Sequence, residues 1–319
     1  MELIIKPTGR CNFNCKFCSA NLLSIKHQTK VPNELIKIIK IIKPNSLIFT
    51  GGDPLLVGPE YYREILSLGT FSISLTTNLK DYYIQPKRWI SLFRNERVGI
   101  CTSFQYGNER MWSSEQVYSE DLFKKVMKRF KEDIGYTPSF ISVISKSNED
   151  KALDHLYLAK ELNTKCKING VLPIGLSKEY YPLYKMIDIW LQIKENNLEE
   201  YWDNQIQFHN GGCNFNTNLM CSSTIRSFWL DDNNNIHYNN CEDCAVRGSR
   251  ILLDKGKVTP KEESMKPEQL ISNDCLYCEL CRLCNSCKST RQAIIDKQTF
   301  CFEMKKRKQK ILDAKWKIY

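Results

Sequence analysis

The sequence predicts an α/β protein in which helices cover a parallel sheet, followed by a smaller cysteine-rich domain. In residues 1–200, six short apolar segments alternate with segments that have the periodicity of amphipathic helices. Ten of the 15 cysteines then lie between residues 213 and 301. We therefore expect one domain over residues 1–200 and a second, cysteine-rich domain over residues 201–319.

Each unit of the first domain is predicted to contain a strand and then a helix. The first helical segment places isoleucines in pairs between lysines, and Pro32 precedes its start. The predicted strands are Leu3–Lys6, Ser46–Thr50, Phe71–Thr76, Val98–Ser103, Phe140–Ile144 and Cys166–Val171. The predicted helices are Asn33–Lys43, Glu60–Leu68, Lys87–Arg94, Glu120–Lys131, Asn148–Leu162 and Tyr180–Lys194. This alternation predicts either an open doubly wound sheet or part of a barrel, with the active site at the carboxyl ends of the strands.

The second domain carries weaker signals of regular structure. Ser227–Leu230 and Ile236–Tyr238 flank an asparagine-rich turn, which predicts a β-hairpin. The tail from Lys305 to Tyr319 is strongly basic. We interpret it as the solvated face of a terminal helix, and binding of nucleic acid and binding of an acidic peptide partner are the alternatives.

Composition and the amino-terminal sequence exclude several classes of protein. Hydrophobic residues make up 42% of the chain, which excludes a disordered protein. No apolar stretch approaches the roughly 18 residues of a membrane span, and no signal peptide opens the chain. We therefore expect a cytoplasmic protein without a membrane partner. Disulfides are rare in that compartment, so 15 cysteines indicate metal binding.

Three cysteines lie in one short segment that follows the first predicted strand. Cys11, Cys15 and Cys18 have the spacing C-x3-C-x2-C. Three thiolates from one loop leave one corner of a cubane cluster open for another ligand. Three zinc ligands, or three buried thiols, are the alternatives at this point.

The second predicted strand ends in a Gly-Gly-Asp turn formed by Gly51, Gly52 and Asp53. Two glycines allow the backbone to approach a ligand closely, and an acidic side chain can accept hydrogen bonds from an ammonium group. Alone, such a tripeptide is usually only a turn.

The cysteine triad and the Gly-Gly-Asp turn, one β/α unit apart, together resemble the radical S-adenosylmethionine (SAM) enzymes. The resemblance implies a partial (β/α)6 TIM-like barrel and a [4Fe–4S] cluster on the triad, with SAM bound to the fourth iron. It also implies that Gly51, Gly52 and Asp53 hold the SAM amino group, although Asp53 stands where the family usually has Glu. Further cofactor contacts are implied at Phe17, Thr77, Asn78, Ser103 and the segment 172–175.

Eight cysteines of the second domain resemble the SPASM extension of this family, which binds two auxiliary [4Fe–4S] clusters. The implied ligands are Cys213, Cys221, Cys241 and Cys287 for the first cluster, and Cys275, Cys278, Cys284 and Cys301 for the second. Cys244 and Cys281 are additional, so one auxiliary cluster with a zinc ion, or zinc alone, stays open as an interpretation. Three clusters would offset part of the net charge of +10, which disfavours nucleic acid as a partner.

Two further thiols lie on predicted strands of the first domain. Cys101 and Ser103 are two residues apart on one predicted strand, so both side chains are expected on the same face of the sheet. A thiol at Cys101 or Cys166 that faces the cavity could return a hydrogen atom to a substrate radical. The more ordinary interpretation is a small buried apolar residue.

The resemblance implies an enzyme that generates a 5′-deoxyadenosyl radical and removes hydrogen from an unactivated C–H bond. Since SPASM proteins act mostly on ribosomally made peptides or protein side chains, we expect a peptide maturase that crosslinks, epimerises or oxidises its substrate. A flavodoxin- or ferredoxin-type donor is expected to supply the electron. The alternatives are a small-molecule dehydrogenase, a sulfatase-type side-chain oxidase, and an electron carrier or zinc scaffold without SAM chemistry.

Overall fold

Six parallel strands form the main sheet of the protein. The structure is a computed structural model that describes residues 2–18, 27–171, 176–203, 228–230, 236–238 and 296–314. The strands are β1 (Glu2–Thr8), β2 (Ser46–Gly51), β3 (Ser72–Thr76), β4 (Val98–Ser103), β5 (Ser139–Ile144) and β6 (Cys166–Gly170). Each strand pairs in parallel with the next strand along the chain. The six predicted strands are therefore confirmed, with bounds that differ by one or two residues.

The order of the strands decides between the two predicted architectures. In the sheet they follow the chain order from β1 to β6 without a reversal. A doubly wound sheet reverses its strand order at a switch point, whereas a β/α barrel does not. The sheet is therefore consistent with the partial TIM-like barrel that the sequence resemblance implies.

Helices follow the strands along the chain and pack on one face of the sheet. They are α1 (Asn33–Ile42), α2 (Pro59–Ser67), α3 (Lys80–Ile84), α4 (Pro86–Phe93), α5 (Glu120–Ile134), α6 (Asp154–Glu161) and α7 (Leu183–Glu195). Phe49 of β2 illustrates the packing, because it is fully buried and its ring contacts Tyr61 and Tyr62 of α2 edge-on. Burial of such a side chain stabilises the fold by roughly 2–3 kcal/mol. The opposite face of β2, with Ile48 and Thr50, is half-buried.

Two helical segments differ from the prediction for identifiable reasons. The predicted helix 148–162 divides into a 3-10 turn, Glu149–Lys151, and the shorter α6. Asn148 accepts a hydrogen bond from Ser145 N at 2.8 Å and donates to the carbonyls of Tyr106 and Val143, so it holds a turn instead of a helix. The short helix α3, which follows β3, was not predicted.

The carboxyl-terminal elements agree with the two predictions made for that region. The strands β7 (Phe228–Leu230) and β8 (Ile236–Tyr238) pair antiparallel, which confirms the hairpin. The helix α8 (Lys297–Asp313) confirms the helical interpretation of the basic tail as far as residue 313. Arg307 binds Asp188 of α7 through two hydrogen bonds of 2.7 and 2.6 Å. None of the described helices has both the length and the hydropathy that a bilayer crossing requires.

His155 on α6 is a buried structural residue. Its side chain is fully buried, with Tyr106 N donating to Nε2 at 3.1 Å and Nδ1 lying 3.3 Å from the carbonyl of Ala152. The acceptor role of Nε2 places the proton on Nδ1. Burial lowers the pKa of His155 to about 4.

The buried imidazole predicts acid sensitivity of the fold. Below its ordinary pKa of 6.5 the unfolded chain binds a proton at His155, while the folded chain does not until the pH approaches about 4. The free energy of unfolding should therefore fall by about 2 kcal/mol between pH 7 and pH 5. In anaerobic urea unfolding, His155→Gln should remove most of this loss, and the control His27→Gln should keep it. If the free energy of unfolding had the same pH dependence in the wild type and in His155→Gln, His155 would not be the source of the acid sensitivity.

Candidate functional site

The loop that carries the cysteine triad lies at the carboxyl edge of the sheet. It begins directly after β1, and Cys11, Cys15 and Cys18 fall in its described part, residues 9–18. Cys11 is exposed, while the other two cysteines are half-buried. The structure therefore places the triad where a β/α barrel carries its active site.

Backbone hydrogen bonds hold this cysteine loop from two neighbouring segments. On one side, Gly52 N donates to the carbonyl of Thr8 at 2.9 Å and Asp53 N donates to that of Arg10 at 2.7 Å. On the other side, the loop between β4 and α5 accepts hydrogen bonds at its carbonyls. These bonds run from Asn14 N to Met111 O and from Lys16 N to Glu109 O, at 3.1 and 2.8 Å. The cysteine loop is thus fixed at both of its flanks.

Gly52 is in close contact with the cysteine loop. A Cβ atom at this position would lie 2.0 Å from the carbonyl oxygen of Arg10. Gly51 has a φ of +121°, and a Cβ there would lie 2.7 Å from the carbonyl of Thr8. Only glycine leaves room for the close contact at Gly52, and only glycine readily combines such a contact with the positive φ of Gly51. The two glycines therefore allow the end of β2 to approach the cysteine loop.

Asp53 is buried beneath the site. The residue is 1% exposed, and its carboxylate accepts hydrogen bonds from Leu55 N at 2.9 Å, Thr77 Oγ1 at 3.0 Å and Asn78 N at 2.8 Å. Burial raises the pKa of Asp53 to about 6, against these hydrogen bonds, which lower it. Through these hydrogen bonds Asp53 connects the end of β2 to the end of β3. A direct contact with the SAM amino group, the expectation from the sequence, stays a prediction.

Asn78 links the end of β3 to the cysteine loop. Its Nδ2 lies 3.5 Å from Cys11 Sγ and 2.8 Å from Asn12 Oδ1, and its Oδ1 accepts from Lys80 N at 2.8 Å. Asn78 is 6% exposed. The structure thus brings this predicted cofactor contact to the triad itself.

Lys80 clamps the same loop from the first residue of α3. Its Nζ donates to the carbonyl of Asn12 at 3.1 Å and to that of Trp112. The ammonium group also lies over the rings of Trp112 and Phe13, at 4.9 and 5.9 Å from their centroids. Burial lowers the pKa of Lys80, and the neighbouring Cys11 raises it. Lys80 therefore ties the cysteine loop to the segment before α5.

A buried arginine lies at the carboxyl end of β4. The guanidinium of Arg110 donates to Ser103 Oγ at 2.9 Å and to Gln105 Oε1 at 3.3 Å. It stacks on Phe17, 5.1 Å from the ring centroid. Arg110 Nε and Gln105 Nε2 have no hydrogen-bond partner among the described residues, although Arg110 is only 7% exposed. Two buried donors are therefore available to an anionic ligand.

The donor set of the triad suits an iron–sulfur cluster better than a single ion. Although Cys11 is exposed as a residue, its thiol lies largely among protein atoms. This desolvation, followed by the carboxylate of Asp53 and by Cys15 and Cys18, raises the pKa of Cys11 to about 12. Iron must therefore replace the thiol proton on binding. Within the described segments, no three His, Cys, Asp or Glu side chains converge on one metal ion. The thiolates of a cubane bind different iron atoms and so lie farther apart than the ligands of one ion.

The two candidate hydrogen-donor thiols lie on different faces of the sheet. Cys101 is half-buried on the face of β4 opposite to the helices, together with Ser103. Cys166 is fully buried in the core, and its Sγ lies 3.4 Å from Ser142 Oγ. Burial raises the pKa of both thiols. Cys101 therefore lies on the face of the sheet opposite to the helices, whereas Cys166 lies in the core between the sheet and the helices. A hydrogen-donor role for either thiol stays a prediction.

The auxiliary-cluster predictions fall mostly on residues outside the described part of the chain. Cys301 is described, and it is half-buried in the first turns of α8. The other implied ligands lie outside the described residues: Cys213, Cys221, Cys241, Cys275, Cys278, Cys284 and Cys287. The segment 172–175 lies outside them as well. These assignments stay predictions.

The family model of the radical SAM superfamily matches residues 5–187, which span β1 to the first part of α7. The chain belongs to the radical SAM superfamily. A [4Fe–4S] cluster and SAM are the cofactors that this family implies, and the cysteine loop is the site that fits them. No curated protein sequence matches the chain significantly.

Solved structures share the fold of this chain. Hexahistidine-tagged anSMEcpe with bound AdoMet is 17% identical, with a TM-score of 0.66 over 98% of this chain and 97% of that one. Streptococcus suis SuiB bound to S-adenosylmethionine is 16% identical, with a TM-score of 0.59 over 89% and 72%. SuiB bound to precursor peptide SuiA is 16% identical, with a TM-score of 0.49 over 63% of this chain and 48% of that one.

Sequence reasoning missed Lys80, Gln105 and Arg110. Arg110 lies seven residues after the predicted contact Ser103, in a polar loop without periodicity. Lys80 follows Asn78 by two residues. Proximity to a predicted strand end was their one sequence signal. The contacts of Lys80 with Asn12 and of Arg110 with Phe17, which bring these two side chains to the cysteine loop, join residues distant in the chain.

The close approach of Gly52 predicts a loss of iron on substitution. Gly52→Ala should displace the cysteine loop and lower the iron content of the anaerobically reconstituted chain by about four Fe, one cubane. The matched control is Gly135→Ala, because Gly135 also has a positive φ, +102°, but open space around it. That variant should lose about 1 kcal/mol of stability and keep its iron. Wild-type iron content in Gly52→Ala would contradict the assigned contact.

Proposed function

We propose that this protein is a radical SAM enzyme that modifies a peptide or protein side chain at an unactivated C–H bond. The observation that carries the proposal is the position of the cysteine loop at the carboxyl edge of the sheet. The loop accepts hydrogen bonds from the ends of β2 and β3, and it donates hydrogen bonds to the loop after β4. When bound and reduced, the [4Fe–4S] cluster supplies the electron that cleaves SAM to the 5′-deoxyadenosyl radical. Cys11, Cys15 and Cys18 would hold the cluster.

The residues around the loop are suited to bind SAM. Arg110 and Gln105 offer buried donors to a carboxylate, and the glycine turn at Gly51 offers carbonyls to an ammonium group. Phe17, stacked beneath Arg110, supplies an apolar surface beside this pair. We propose that Arg110 binds the SAM carboxylate and fixes its orientation at the triad.

The peptide substrate is supported by the sequence. The eight cysteines that resemble a SPASM extension are typical of enzymes that act on peptides or proteins. The expected electron donor, a flavodoxin or ferredoxin, follows from the need to reduce the cluster one electron at a time. We propose two auxiliary clusters at these cysteines, in a second domain that follows residue 200.

A small polar molecule is the second candidate substrate. The face of the sheet opposite to the helices carries small polar side chains, including Ser74 and Thr76 of β3 and Ser103 of β4, all half-buried. Hydroxyl groups can hydrogen-bond to a polyol as well as to a peptide backbone. This observation favours a SAM-dependent dehydrogenase as the alternative.

Removal of the triad should abolish SAM cleavage. With dithionite and SAM, the wild-type chain should form 5′-deoxyadenosine, and the triple variant Cys11→Ala, Cys15→Ala, Cys18→Ala should form none. Cys166→Ala is the matched control, because Cys166 is a buried thiol outside the site, and it should keep the activity. Cleavage retained by the triple variant would refute the triad assignment.

The same assay distinguishes the two substrate classes. Faster formation of 5′-deoxyadenosine in the presence of peptides favours the first class, and faster formation in the presence of polyols favours the second.

The proposed role of Arg110 predicts weaker SAM binding in Arg110→Gln. A charge-assisted hydrogen bond contributes about 1.5–3 kcal/mol, so the Kd for SAM should rise at least about tenfold. Arg110→Lys, which keeps the charge, should recover part of this loss. The matched control is Arg129→Gln, because Arg129 also stacks on an aromatic ring, that of Tyr83, away from the triad. An unchanged Kd in Arg110→Gln, measured by anaerobic calorimetry, would exclude the contact.

A further inference from the structure

We propose that Asn78 sets the reduction potential of the cluster on the cysteine loop, by donating a hydrogen bond to the sulfur of Cys11. The inference rests on the proposed function, since it requires the triad to hold a cluster. It assigns to Asn78 a role different from the SAM contact expected from the sequence.

The orientation of the Asn78 amide is fixed by its partners. Lys80 N donates to Asn78 Oδ1 at 2.8 Å, so this oxygen is an acceptor. The NH2 group must then face the cysteine loop, where Nδ2 lies 3.5 Å from Cys11 Sγ and 2.8 Å from Asn12 Oδ1. An amide NH2 group has two hydrogens, so it can serve both acceptors together.

The backbone of Asn78 is held by the buried carboxylate of Asp53. Asn78 N donates to the buried carboxylate of Asp53 at 2.8 Å, and Thr77 Oγ1 donates to the same carboxylate at 3.0 Å. Asp53 in turn is anchored by Leu55 N at 2.9 Å. The donor is therefore presented to Cys11 by a rigid, buried support, and Asp53 acts as a positioning residue.

A hydrogen bond to a ligating sulfur affects the two oxidation states differently. Reduction adds one electron to the cluster and increases the negative charge on its sulfur ligands. A donor at the sulfur stabilises the reduced state more, and so raises the reduction potential. Asn78 would thus ease the one-electron reduction by the external donor.

The test is an anaerobic redox titration of the reconstituted full chain without SAM, followed by electron paramagnetic resonance of the reduced cluster. The signal of the triad cluster is identified as the one absent from the triple cysteine variant. In Asn78→Leu, the ratio of reduced to oxidised cluster at a fixed potential should fall about tenfold, which is a shift of about 59 mV for one electron. The matched control is Asn148→Leu, because Asn148 is also buried and has its own hydrogen-bond network away from the cysteine loop.

A second variant keeps the test decisive if Asn78→Leu does not load iron. Asn78→Asp preserves the shape of the side chain and the acceptor for Lys80 N, and it replaces the donor by a negative charge. In this variant the ratio of reduced to oxidised cluster at a fixed potential should therefore fall more than tenfold. A wild-type potential in either iron-loaded variant would overturn the inference and leave the proposed function standing. If the wild type and the triple cysteine variant give the same signals, the proposed function itself fails.

Discussion

The candidate site depends on one backbone contact, that of Gly52 and Asp53 with the segment that follows β1. Two hydrogen bonds, Gly52 N to Thr8 O at 2.9 Å and Asp53 N to Arg10 O at 2.7 Å, bring the end of β2 against the cysteine loop. The Asp53 side chain then connects this contact to the end of β3. Because no Cβ can be accommodated at Gly52, the contact limits the sequence at that position to glycine. Three strand ends are thereby joined into one network.

The buried carboxylate explains why an aspartate can stand in this turn. The short side chain of Asp53 accepts the hydrogen bond of Leu55 N two residues ahead, and so caps the 3-10 turn Pro54–Val57. The same carboxylate reaches Thr77 and Asn78. Burial of a charge without partners would cost several kcal/mol, and these hydrogen bonds offset much of that cost. Asp53 therefore stabilises the strand ends, while the peptide groups and Asn78 face the cysteine loop.

The sequence predicted the parts of this arrangement that are encoded locally. Strand and helix periodicity placed all six β/α units, and cysteine spacing singled out the loop that the structure places at the carboxyl edge of the sheet. The alternation of side chains along a strand also assigns Cys101 and Cys166 to different faces of the sheet. Cys166 lies on the same face as the buried Ile168, whereas Cys101 lies on the face opposite to the buried Ile100. The roles of Lys80 and Arg110 at the cysteine loop could not be predicted, since they arise from contacts with residues far apart in the chain, such as Lys80 with Asn12 and Arg110 with Phe17. The division of the predicted helix 148–162 has a similar origin, in the hydrogen bond from Asn148 to the distant carbonyl of Tyr106.

Two positively charged side chains lie beside the cysteine loop. Lys80 and Arg110 approach the loop from different strand ends, and both are partly or fully removed from solvent. A buried guanidinium without a carboxylate partner among the described residues is costly unless an anion binds beside it. Three thiolates and a carboxylate-bearing cofactor supply such negative charge, and their binding would relieve the cost. The cations therefore favour the loaded state of the site over the empty one, and they bias the loop toward a cluster that carries net negative charge.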